Sequence, residues 1–212
     1  MKRARTPEAK EKRKERLLEV ALKLFEQDED SLSMDRLAKA SNLAKGTMYL
    51  YFKTKEEVLL ALYEQEFAGW LDQMKSLIAT RGVPKGPEAL SQLILESTES
   101  QETLFHLSAR LQSIIEQNIS VTRALEFKRW LLGELRQAGL MIESALTLKP
   151  GKDEGLRLML RLHAYISGLW LLAHPSSVVQ EALEKKELAA LRIDFKTEFR
   201  TGLRALCESA AG

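Results

Sequence analysis

Apolar residues recur along this chain at helical spacing and almost nowhere at the strict alternation of a half-buried strand. Leu17, Val20, Ala21, Leu24 and Phe25 stand at i, i+3, i+4, i+7 and i+8. They define one face of an amphipathic helix that starts near Pro7 and is ended by the polar run 26–30. Ser33 is placed to cap a second helix over 34–40, with Arg36 where a capping box would carry Glu. Ser41 and Asn42 break that helix, 44–52 forms another short one, and Thr54 caps a long fourth helix running from Lys55 toward Thr80. The segment 81–87, holding Gly82, Pro84, Gly86 and Pro87, reads as a linker. Beyond it the pattern predicts helices over about 87–100, 102–117, 120–147, 154–173, 177–187 and 189–209. The expected fold class is all-α, with about nine or ten helices. An N-terminal three-helix, helix-turn-helix domain (1–55, motif 33–52) precedes a helical-bundle domain (56–212).

The paired short helices carry the first functional signal. Leu37, Ala38, Leu43 and Met48 are spaced to pack between them, which leaves Lys45, Thr47, Tyr49, Leu50 and Tyr51 on the outer face of the second. A helix presented in this way fits the major groove of duplex DNA, about 12 Å wide. Lys, Thr and Tyr donate to phosphates, and Leu50 suits a thymine methyl. Lys55 stands at the head of the fourth helix, where its ammonium and the free N–H groups of the terminus can hold one phosphate together. Ser33 and Arg36, at the head of the preceding helix, complete the candidate DNA-binding set.

Charge supports this placement. The overall net charge is only +2, but the first sixteen residues carry eight basic against three acidic side chains. That basic tip, which includes Lys2, Arg3 and Arg5, points to a polyanion contacted from one end. Composition narrows the class further. No apolar run reaches membrane-spanning length, and the basic N-terminus lacks the apolar core of a secretory signal, so a cytoplasmic protein with no membrane partner is expected. With one cysteine, Cys207, and three scattered histidines, neither a disulfide nor a metal site is expected. The absence of a glycine-rich phosphate loop, a nucleophile motif or an acid/base constellation argues against an enzyme, and no cofactor is implied.

The order Lys45-Gly46-Thr47-Met48-Tyr49, then Tyr51-Phe52 and Thr54-Lys55, resembles the signature of TetR-family (AcrR-like) transcriptional regulators. Residues 17–25 are similar to that family's first helix, and the likeness spans about residues 12–62. The resemblance implies a homodimer with small DNA-binding heads and a larger helical ligand-binding domain. Carried over by position, Lys45, Gly46, Thr47, Tyr49, Leu50, Tyr51 and Lys55 match DNA-contacting positions. Gly46 then lets the backbone approach the duplex, Tyr49 and Tyr51 address phosphates, and Lys45 and Leu50 read bases. Two departures stand out: Ala44 occupies a position that often holds a hydroxyl cap, and residues 27–30 put acid where a glycine usually follows the first helix.

Two heads on half-sites one helical turn apart require a dimer of fixed spacing and a palindromic operator. Two stripes are candidates for the dimer face: Leu156, Leu160, Ser167 and Trp170 on one late helix, and Leu191, Phe195, Phe199 and Leu203 on the last. A pocket for an apolar or aromatic effector is expected among Phe67, Trp70, Met74, Phe105, Leu111, Ile115, Phe127, Trp130, Glu134 and His163. The function so expected is a repressor released from its operator by a small ligand. A constitutive DNA-binding dimer or an activator with no effector pocket stays open as the alternative.

Overall fold

The computed structural model describes residues 6–28, 32–148 and 152–211. Among the described residues there are ten α-helices and no strand: α1 Pro7–Gln27, α2 Met34–Ala40, α3 Lys45–Met48, α4 Lys55–Arg81, α5 Gly86–Ser97, α6 Glu102–Arg110, α7 Val121–Leu146, α8 Glu154–Ala173, α9 Ser177–Leu183 and α10 Phe195–Ala211. None is long and apolar enough to cross a membrane. Lys2, Arg3 and Arg5 of the basic tip, Glu29 and Asp30 of the acidic turn, and the break at 149–151 lie outside the described residues.

Four expected helices have different bounds, α9 among them, which stops at Leu183 rather than 187. The regular part of α3 stops at Met48 rather than 52. After Arg110, α6 gives way to a π-helical turn, Leu111–Ile115, and a 3-10 turn, Glu116–Asn118. There the Asn118 side-chain amide donates to the Ile114 carbonyl at 2.8 Å and closes the segment. The last helix begins at Phe195 instead of 189, because Asp194 caps it: the Asp194 Oδ1 accepts from the Thr197 N–H at 2.8 Å. Leu191 consequently falls in a 3-10 turn, Lys186–Leu191.

The chain folds as two compact units that are not contiguous in sequence. The first comprises residues 6–65 and 111–124. Its core is the predicted inner face of α1 (Leu17, Ala21, Phe25) with Leu37, Met48, Phe52 and Leu62, all buried. The return segment is tied to α4 at two places: the Thr54 hydroxyl donates to the Asn118 carbonyl at 3.4 Å, and Arg123 pairs with Glu64 at 2.5 Å, both side chains about four-fifths buried.

The second unit comprises residues 66–110 and 125–211. Gly82 and Gly86, both at positive φ (87° and 86°), turn the linker between α4 and α5, and a bidentate Arg81–Glu96 pair (2.6 and 2.7 Å) brackets it. Inside, the Trp70 indole N–H donates to the Ser97 hydroxyl at 2.9 Å, so a buried polar pair links α4 to α5. Helices α7 and α8 approach each other closely at a pair of glycines. A Cβ built on Gly155 would stand 2.1 Å from the Gly139 carbonyl oxygen, so the two backbones touch. Beside this contact the buried Glu143 of α7 accepts the Gly155 N–H at 3.2 Å. It supplies the N-terminal acceptor that Asp153, held at φ 53° with no side-chain cap bond, does not.

Cys207 is fully buried on α10, and burial pushes its thiol from the ordinary 9.0 to about 11. A thiol held protonated in the folded state contributes its stability in full below pH 9 and loses it as pH rises toward 11. Alkylation by iodoacetamide at pH 8 is expected to be at least ~100-fold slower on native than on denatured protein, two pH units of thiolate deficit. Mass-spectrometric timing of the adduct checks this, and comparable rates would contradict the burial.

Candidate nucleic-acid interface

The helix-turn-helix is set by the turn between α2 and α3. Asn42 takes a left-handed conformation (φ 53°) just past the end of α2. Its N–H bonds the Lys39 carbonyl at 3.1 Å, and the Leu43 N–H bonds the Ala38 carbonyl at 2.9 Å. That pair of bonds is a Schellman closure with asparagine in the residue that must be left-handed. At the other end of α2 the Ser33 hydroxyl accepts the Arg36 N–H at 3.2 Å, as a cap should. Ser33 thereby serves the backbone, while Arg36 is exposed beside it.

The recognition segment is loosely wound. Ala44 offers no side-chain cap, and the helical bonds from Met48 and Tyr49 are long, 3.3 and 3.4 Å. Leu50 and Tyr51 bond three residues back instead of four, so the segment tightens into a turn before Phe52. The Lys53 ammonium holds its end by donating to the Tyr49 carbonyl at 2.9 Å. Met48 and Phe52 anchor the inner side. Lys45, Gly46, Tyr49 and Leu50 are exposed, with Thr47 and Tyr51 half-exposed. A Cβ on Gly46 would meet nothing within 4 Å, so nothing in the folded unit itself requires glycine there.

Two electrostatic details shape this surface. At the head of α4 the Thr54 hydroxyl accepts the Glu57 N–H at 3.1 Å, while the Glu57 carboxylate accepts the Lys53 N–H at 2.6 Å. This capping arrangement leaves Lys55 half-exposed and, among the described residues, outside any ion pair. Lys45, expected as a base reader, instead forms a 2.7 Å ion pair with Asp35 of α2, a hydrogen bond that raises its pKa. To meet DNA it must exchange a carboxylate partner for a base or phosphate. Asp35→Asn is therefore expected to tighten DNA binding, by roughly 3- to 10-fold given the small worth of exposed pairs. Fluorescence anisotropy at fixed salt reads it, and unchanged or weaker binding would show that the pair does not compete with DNA.

The second unit arranges its candidates differently from the sequence expectation. Phe67, Trp70, Phe127 and Trp130 do come together, with ring centroids 5.5 to 6.0 Å apart. Phe67, Trp70, Met74 and Phe127 are buried core, and Glu134 and His163 are half-buried. Leu111 and Ile115 are buried in the first unit. Phe105 joins a second aromatic group with Trp170, Phe195 and Phe199, centroids 5.3 to 5.9 Å away. This group walls a cavity of about 620 Å³ bounded by α5, the start of α6, the end of α8 and the start of α10. Charged residues at its mouth, among them Glu99, Glu102, Lys196 and Arg200, carry no sequence signal, because charges at helix ends usually face solvent.

Of the stripe residues, Trp170, Phe199 and Leu203 are buried within this chain, and Ser167 donates to the Ser108 carbonyl at 3.1 Å. The inner faces of α8 and α10 pack on each other and on α5 and α6 instead of waiting for a partner. Leu156 and Phe195 are half-buried, and Leu160 and Leu191 are exposed. The exposed stripe of α8 is Leu160, Ala164, Gly168 and Leu171.

Comparison with known proteins covers most of the chain. Residues 17–62 match the profile of bacterial regulatory proteins of the tetR family, and 64–208 that of the tetracyclin repressor-like C-terminal domain. A fatty acid metabolism regulator protein of Bacillus subtilis is 33% identical over 57 residues, 27% of this chain and 29% of that protein. YhgD, an uncharacterized HTH-type transcriptional regulator of the same species, is 42% identical over 64 residues, 30% of this chain and 31% of that one. The matched stretches thus span less than a third of these curated relatives. A possible TetR-family transcriptional regulator from Streptomyces coelicolor superposes with a TM-score of 0.56 at 21% identity, covering 92% of this chain and 97% of that one. The fatty acid degradation regulator FadR from Bacillus halodurans does so at 0.54 and 15% identity, covering 95% and 97%. At such identities the likeness establishes the fold.

Proposed function

Since this chain belongs to the TetR family of DNA-binding transcriptional regulators, we propose that it acts as a homodimeric repressor released from a palindromic operator by a small aromatic ligand. The observation that carries the ligand part is the aromatic cavity of about 620 Å³, within the size range of small-molecule sites. A constitutive binder needs no such opening. The reading head is Lys45, Gly46, Thr47, Tyr49, Leu50, Tyr51 and Lys55, with Arg36 beside them.

For the dimer face the exposed stripe of α8 serves better than the stripes read from the sequence. Leu160 and Leu171 are 48% and 57% exposed, and a Cβ on Gly168 between them would meet nothing within 4 Å, which leaves room for a second helix. Leu160→Glu with Leu171→Glu is expected to convert a dimer to monomers in light scattering and to weaken operator binding at least ~100-fold, since each half-site then binds alone. A double variant that stays dimeric removes this face from the assignment.

Release follows from population shift: the ligand moves the equilibrium only by its differential affinity for DNA-competent and DNA-incompetent states, about 1.4 kcal/mol for each tenfold. The chain passes between its compact units within α4, at the π turn after Arg110, and within α7. α4 and α7 run unbroken through their crossings, whereas the π turn interrupts the chain after Arg110, and such turns are frequent at functional sites. Selection from random duplexes followed by an effector screen tests the whole reading. A two-fold symmetric site with release by an aromatic compound is expected; a non-symmetric consensus overturns the dimer, and a protein that no aromatic compound releases overturns the effector.

A further inference from the structure

The cavity in the second unit has a chemistry more specific than an apolar hole. Its floor is built of flat faces. Trp170 and His174 stack with centroids 3.8 Å apart, Phe195 meets Trp170 edge-on at 5.2 Å, and Phe195 stacks on Phe199 at 5.6 Å. Its mouth carries opposite charges on opposite elements: Glu99 and Glu102 at the α5–α6 turn, Lys196 and Arg200 on the first turns of α10. Among the described residues neither carboxylate forms an ion pair with either cation, so no internal pairing ties the two sets together. Asp194, also at the mouth, is engaged in capping α10 and has Lys196 beside it.

Flat walls beside charges of both signs complement one kind of molecule. The geometry points to a binding site for an amphoteric aromatic ligand. Its ring lies against Phe195, Trp170 and His174, its ammonium meets Glu99 and Glu102, and its carboxylate meets Arg200 and Lys196. An ammonium beside aromatic faces gains a cation–π contribution, and a guanidinium grips a carboxylate through two parallel hydrogen bonds. All four charges are exposed to solvent, so a purely apolar ligand gains nothing from them, and a purely cationic one gains from the carboxylates alone. The ligand class deepens the effector reading and rests on it only for what the ligand then does.

Titration calorimetry of the full chain with three probes tests the site without DNA: L-tryptophan, which carries both charges, tryptamine, which lacks the carboxylate, and indole-3-propionate, which lacks the amine. Tryptophan is expected to bind at least ~10-fold more tightly than either half-ligand, about 1.4 kcal/mol. Arg200→Ala with Lys196→Ala should reduce tryptophan to the tryptamine level without weakening tryptamine. Glu99→Gln with Glu102→Gln should reduce it to the indole-3-propionate level and leave that probe unchanged. All the substituted side chains are exposed, and thermal melts confirm that the variants are folded. The site is overturned if tryptophan binds no better than a half-ligand, if no probe saturates by about 10 mM, or if the variants match the parent. Tryptophan that binds as expected yet leaves operator affinity unchanged supports the site and overturns its effector role. Probes that fail overturn the site while the effector screen still decides the broader reading.

Discussion

Tyr49→Ala and Lys55→Ala are each expected to weaken DNA binding by roughly 10- to 100-fold without unfolding the protein, the worth of one or two lost hydrogen bonds to a charged group. Tyr49 is exposed and Lys55 half-exposed, so truncation removes little core. Lys55 combines an ammonium outside any ion pair among the described residues with the N-terminus of the 27-residue helix α4, and in the proposed reading head the two would act on one phosphate. Phosphate contacts read no sequence, so the loss should be similar on operator and on unrelated duplex. In the proposed homodimer, Lys55→Ala should also flatten the plot of log affinity against log salt by about 1.8, one phosphate per protomer. Lys45 and Leu50 substitutions should behave differently and change which bases are preferred. Anisotropy titrations on both duplexes at several salt concentrations separate the two classes. Full affinity in both Tyr49→Ala and Lys55→Ala would remove the phosphate clamp from the reading head.

Gly155→Ala should cost about 3 kcal/mol, the upper end for overpacking, and lower the melting temperature by roughly 6–12 °C. The added methyl would have to enter space held by the Gly139 carbonyl, and main-chain atoms cannot turn aside as a side chain does. The same displacement would draw the Gly155 N–H away from the buried Glu143 carboxylate, leaving that group without the bond. Gly133→Ala in α7 is the control. A Cβ there meets nothing within 4 Å, so alanine should stabilise by about 0.5–1 kcal/mol through helix propensity. Calorimetry of the three proteins checks both signs, and a Gly155→Ala protein as stable as the parent would mean that α7 and α8 separate readily.

What this sequence determines by itself is whatever depends on near neighbours. The spacing 17, 20, 21, 24 and 25 requires a helix with one buried face, and Leu17, Ala21 and Phe25 lie there. Ser33 and Thr54 are caps because a hydroxyl at that offset reaches an N–H within the same turn. The helix-turn-helix was legible for the same reason, with Asn42 supplying the left-handed residue between its halves.

Contacts between distant segments were left to the tertiary structure. Nothing local tells that 111–124 returns to pack with the N-terminal unit, since its bonds to Thr54 and Glu64 join residues about sixty positions apart. The inner stripes of α8 and α10 look alike whether a neighbouring helix or a second chain covers them, because periodicity marks a buried face and not what buries it. Lys45 shows the same limit at the reading head. Its place in the signature points to DNA, yet the fold brings Asp35 within 2.7 Å, and only that proximity reveals the partner it must give up.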